Sequence, residues 1–75
     1  MKIEYLVKMA NDVGNFFAAE AEGEAAVNAV AGHLRRFWEP RMRAQIVAHQ
    51  VQGGVGLSDV ARRAVALLAA EATQA

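Results

Sequence analysis

The sequence predicts an all-α fold, a small bundle of about four short helices, on three observations. Apolar residues recur at helical spacing in four successive segments. The breaks between those segments carry helix-ending chemistry at Gly23, at Pro40 and in "GGVGLS" (53–58). No stretch alternates apolar and polar residues as a half-buried strand would. With no internal repeat and no linker long enough to divide it, the chain reads as a single domain over residues 1–75.

The first helix is expected at about 3–21. At 100° per residue Glu4, Lys8, Asn11, Asp12 and Asn15 fall together, while Ile3, Leu6, Met9, Ala10, Val13, Phe16 and Phe17 fill the other side. With Tyr5 and Val7 the apolar arc is roughly 200° wide, about twice what one core contact needs, so this helix is expected to touch more than its own domain. Gly23 can close it, and Glu24 then sits near the positive end of the next helix.

The second helix, about 24–38, has the cleanest amphipathic pattern, with Val27, Val30, Ala31, Leu34, Phe37 and Trp38 on one stripe. Pro40 ends it by disfavouring helical geometry at Glu39, and is itself well placed to begin the third helix, about 40–52. There Met42, Ile46 and His49 lie on one side and Ala44, Val47, Ala48 and Val51 on the other, which suggests a helix sandwiched between two surfaces. The glycine run stops it, Ser58 stands in N-cap position, and the fourth helix, about 59–72, buries Val60, Ala61, Ala64, Val65, Leu67 and Leu68. "ATQA" reads as a fraying tail.

Composition narrows the chemistry. A chain of 75 residues buries only roughly 60% of the surface its unfolded form exposes. Its apolar fraction of 55% is inflated by 17 alanines, which bury little area. Stability is then expected to draw on a partner chain, either a larger protein or, for the isolated chain, a second copy in a homodimer. No cysteine is present, so neither disulfides nor thiolate metal sites are available. One serine, explained as a cap, and one threonine leave no nucleophile beside a base. His33 and His49 are too far apart, with no carboxylate spaced to join them, to suggest a metal site; both read as solvated polar positions. "GGVG" matches no phosphate-binding loop. The expectation is a chain that is not an enzyme, has no catalytic, cofactor or metal residues, and resides in the cytoplasm, since its start mixes charge into the apolar run too early for a signal peptide.

One cluster stands out. "HLRRFWEPRMR" (33–43) holds four arginines against Glu39 alone, in a chain of zero formal net charge whose first 24 residues are acidic. Zero net charge removes the usual footprint of a nucleic-acid binder. A small helix-turn-helix-like nucleic-acid module using the Arg/Trp cluster is the alternative, prompted also by "GLSDVARRAV". Against it, Phe37 and Trp38 fall inside the core stripe, where they cannot stack on bases. A protein-contact surface explains the cluster more economically, because arginine and tryptophan dominate interface hot spots. The candidate partner-binding residues are His33, Arg36, Trp38, Pro40, Arg41 and Arg43, with Arg36 and Arg43 expected to point outward; the competing expectation is that the arginines are solvated or pair with the acidic first helix.

"LVKMANDVGNFF" (6–17), "HLRRFWEPRMR" (33–43) and "GGVGLSDVARRAV" (53–65), in that order, resemble the delta subunit of cytoplasmic NAD-dependent, molybdenum-containing formate dehydrogenases. Asp59 stands where that family often has a proline, a change tolerated at a helix start. The resemblance implies a non-catalytic subunit that assists assembly or stability of the catalytic alpha subunit. Molybdopterin, iron-sulfur clusters, FMN and the NAD site would lie on other subunits, with no cofactor held by this chain and no membrane or nucleic-acid partner.

Overall fold

The computed structural model describes residues 1–72, and these form four α-helices in the order α1 (Ile3–Glu20), α2 (Gly23–Phe37), α3 (Pro40–Val51) and α4 (Asp59–Ala72). Of the expected fraying tail, Ala72 is the last residue of α4 and residues 73–75 lie outside the described residues. Helix α4 packs against the other three, α1 also meets α2 and α3, and the bundle closes around one core. That core holds Leu6 and Ala10 of α1, Val27, Val30, Ala31 and Leu34 of α2, Ile46 of α3, and Ala61, Ala64, Val65 and Leu68 of α4, with Trp38 and Leu57 from the connections. No helix among the described residues is long and apolar enough to cross a membrane.

The alanines that contribute so little area have a geometric use. Gly14 is buried on the same side of α1 as Leu6 and Ala10, at i, i+4 and i+8. A Cβ built on it would come within 2.9 Å of Val60 Cγ1 and 3.6 Å of Ala61 Cβ. Glycine on α1 against alanine on α4 brings the two helices close, so a small core is filled without large side chains. Gly14→Val is therefore expected to cost about 1–3 kcal/mol by overpacking this seam. Chemical denaturation would check it, and a midpoint at or above wild type would show that α1 and α4 have room to part.

The helix ends follow local chemistry. Gly23 does not close α1: that helix ends at Ala21, whose backbone is extended, and Gly23 takes a left-handed φ of 56° at the start of α2. Pro40 occupies the first turn of α3, where its missing N–H costs nothing. The Ser58 hydroxyl accepts from Ala61 N–H at 3.3 Å and caps α4.

The 52–58 connection is anchored from both sides. His49 Nε2 donates to Val55 O at 2.8 Å, so this histidine is tied to the turn rather than merely solvated. Asn11, on the polar side of α1, lies half-buried, its amide donating to Gly56 O at 2.9 Å while its oxygen accepts from Ser58 N–H at 2.8 Å. Leu57, between those two contacts, is buried as a plug over the core. Asn11→Asp keeps the acceptor and loses the donor, leaving a carboxylate facing the Gly56 carbonyl. We expect it to destabilise by roughly 1–2 kcal/mol and to speed amide exchange in residues 53–57, which hydrogen-exchange mass spectrometry would resolve.

Candidate protein interface

The four arginines of residues 33–43 go to three different places. Arg35 spans from α2 to α4 and grips Glu71 with both ends of its fork, Nε to Oε1 at 3.1 Å and Nη2 to Oε2 at 2.7 Å. The acid that satisfies an arginine of the cluster is thus on the last helix, not the acidic first one. Arg43 is half-buried and turned inward: its Nη1 donates to Arg35 O at 3.1 Å and also to Trp38 O. It satisfies carbonyls at the C-terminal end of α2, where a cation is also favoured by the helix dipole. The expectation that Arg43 points outward to a partner is therefore corrected. Arg36 and Arg41 are exposed, with no hydrogen-bond or ion-pair partner among the described residues.

The aromatic residues divide as well. Trp38 is 5% exposed and lies in the core, which leaves no indole face for a partner or a stacked base. Phe37, assigned by its spacing to the same stripe, is 70% exposed. The buried positions of this helix are Ala26, Val27, Val30, Ala31 and Leu34, and Trp38, four residues after Leu34, continues that row. Phe37 falls at its edge and tilts against His33, one turn back on the same helix.

There it ends a ladder that crosses from one helix to the other. Phe16 and Phe17 meet edge to face at 5.0 Å, Phe17 meets His33 at 6.0 Å, and His33 tilts against Phe37 at 4.9 Å. The half-buried Phe17 and His33 form the middle rungs, while Phe16 and Phe37 at the two ends are 61% and 70% exposed. Two shallow clefts flank the middle. One is walled by Asp12, Val13 and Phe16; the other lies between Asn28, Gly32, Arg36 and Phe37. Asp12 is paired to Lys8 at 3.0 Å, whereas Arg36 is free to meet a carboxylate. Aromatic rings locked in mutual contact lose little entropy on binding, and aromatics beside arginine are the residue types that dominate interfaces.

Of the sequence candidates, His33 and Arg36 therefore share one surface; Pro40 and Arg41 are exposed at the start of α3; Trp38 and Arg43 are structural. Phe16, Phe17 and Phe37 belong to the ladder and were not among the candidates. The signal available for Phe16 and Phe17 was the over-wide apolar arc of α1, with Phe16 toward its edge; Phe37, on the stripe of α2, had none.

Among the described residues, no group of three or more His, Asp or Glu is placed to hold a metal ion. No curated protein and no solved structure matches the chain. One family model does, that of the NADH-dependent formate dehydrogenase delta subunit FdsD, and it covers residues 5–65, which include both the ladder and the arginine cluster. With most of its length matched, the chain belongs to the FdsD family of formate dehydrogenase delta subunits.

Proposed function

We propose that this chain is a non-catalytic accessory subunit that binds the catalytic alpha subunit of an NAD-dependent formate dehydrogenase and assists its assembly or stability in the cytoplasm. The observation that carries the reading is the ladder, which holds Phe16 and Phe37 largely in water beside the unpaired Arg36. Exposed aromatic area on so small a domain is covered when a partner binds. The rings supply apolar area, and Arg36 supplies a charge-assisted contact that orients a partner carboxylate. In this reading the chain holds no cofactor; molybdopterin, iron-sulfur clusters, FMN and NAD stay on the other subunits.

Co-production of the tagged chain with the alpha subunit tests this. Phe37→Glu and Arg36→Glu should each leave the free chain helical, because both side chains are exposed, yet lower recovery of the alpha subunit by about tenfold or more. Any complex that still forms should keep its KM for formate. Wild-type recovery with both variants would remove the ladder from the interface, and a wild-type chain that copurifies with no larger subunit would end the reading itself.

A further inference from the structure

A second surface shares no residue with the ladder. Along the outer side of α3, Pro40, Ala44, Val47, Ala48 and Val51 recur at i, i+4, i+7, i+8 and i+11, and all but the half-buried Val47 are exposed. On the inner side of the same helix Met42 and Ile46 pack on the core, and the half-buried Val47, at the edge of the stripe, packs against it as well. The helix packs on both α1 and α4, and the remainder of its second apolar side, Ala44, Ala48 and Val51, faces outward. Val47 and Ala48 form one wall of an open groove whose other wall is Leu68 and Ala72 of α4. The polar groups around this groove are already committed, Arg35 to Glu71 and Arg43 to the end of α2. What remains for a partner is the apolar stripe and, three residues before Ala44 and seven before Ala48 on the same side, the unpaired Arg41.

We infer that the outer side of α3 is a second docking surface, and that its occupant is an apolar helix of the larger subunit with carboxylates flanking its apolar stripe. This rests on the reading of the chain as an accessory subunit. The spacing is that of a helix-packing face, and Ala44 and Ala48 let a partner helix axis approach closely. Charge decides between a second copy and a different protein. From Pro40 to Val51 the exposed charge beside the stripe is Arg41 and the helix carries no acidic residue, so a second copy packed through α3 would offer Arg41 no carboxylate from that helix. A partner with carboxylates beside its apolar stripe meets Arg41 with opposite sign. Together with the ladder, the surface lets one small subunit hold two elements of its partner at once, which raises the strength of attachment without a large single interface.

The test uses the tagged full chain co-produced with the alpha subunit. Arg41→Glu and the double variant Ala44→Arg with Ala48→Arg should each reduce recovery of the alpha subunit about tenfold, while Ala25→Arg, an exposed helical position outside both surfaces, should not. A photo-crosslinking residue at position 48 of the otherwise wild-type chain should join a helical, carboxylate-bearing segment of the alpha subunit. That adduct decides the matter even where the double variant folds poorly. Wild-type recovery of both variants, no adduct, or an adduct to a second copy of this chain overturns the α3 surface. If Phe37→Glu still abolishes recovery, the accessory role survives that failure; if the wild-type chain recovers no alpha subunit, both fall together.

Discussion

Trp38→Ala is expected to lower the stability of the isolated chain by about 3–5 kcal/mol, the cost of removing a large buried ring from a core that cannot fully collapse around the space. The position makes the loss more damaging than its area suggests. Trp38 is the residue on which α2 stops: its N–H still donates to Leu34 O at 3.1 Å, its own backbone is extended, and its carbonyl accepts from Arg43. The ring is thus a core element and the hinge pin between α2 and α3. A domain of this size holds only several kcal/mol in total, so the variant should be substantially unfolded at ambient temperature. Urea unfolding followed by circular dichroism measures it, and Trp38→Phe should recover part of the loss. A Trp38→Ala chain as stable as wild type that nevertheless fails to bind would move the ring from the core to the partner surface.

Arg43→Glu should be the next most damaging single change, at roughly 2–3 kcal/mol. It removes a charged donor from two carbonyls, and charge-assisted bonds of this kind contribute about 1.5–3 kcal/mol. It also sets an anion against the negative end of α2. By contrast, Arg36→Glu, seven residues earlier in the same cluster, should change the stability of the free chain by less than about 0.5 kcal/mol, since its side chain is exposed and makes no hydrogen bond or ion pair with the described residues. Thermal melts of the two variants side by side separate the roles. Equal melting temperatures would mean that Arg43 does not cap α2 in solution. Arg43→Lys, which keeps the charge but not the fork, should fall between them.

The contrast between these arginines shows what kind of information the sequence carries. Helix existence and register depend on neighbours three and four residues apart, so the rows Leu6–Ala10, Val27–Val30–Leu34 and Ala61–Ala64–Leu68 can be read directly from spacing. Helix breaks depend on backbone restrictions of single residues, so Pro40, the glycines at 53, 54 and 56, and the Ser58 cap are legible too. Trp38 is a core residue on the same ground, being in row with Leu34.

Partner choice across the fold has no such local signature. Arg35 and Glu71 are separated by 36 positions and Asn11 and Ser58 by 47, and nothing near either residue in the chain announces the other. Phe37 sits at the margin of its stripe, where a small difference in helix rotation decides between core and solvent; the packing of α1 against α2 leaves it exposed against His33, one turn back, whose ring in turn meets Phe17 of α1. Gly14 reads as an unremarkable small residue until α4 lies across it at a distance no Cβ would tolerate. The sequence by itself determined four helices, the stops at Pro40 and the glycines at 53, 54 and 56, and most of the apolar rows that form the core, because these follow from periodicity and backbone sterics within a few residues. Only the tertiary structure decided which arginines are spent inside the fold and which aromatics are left to a partner, because both depend on how the helices come together.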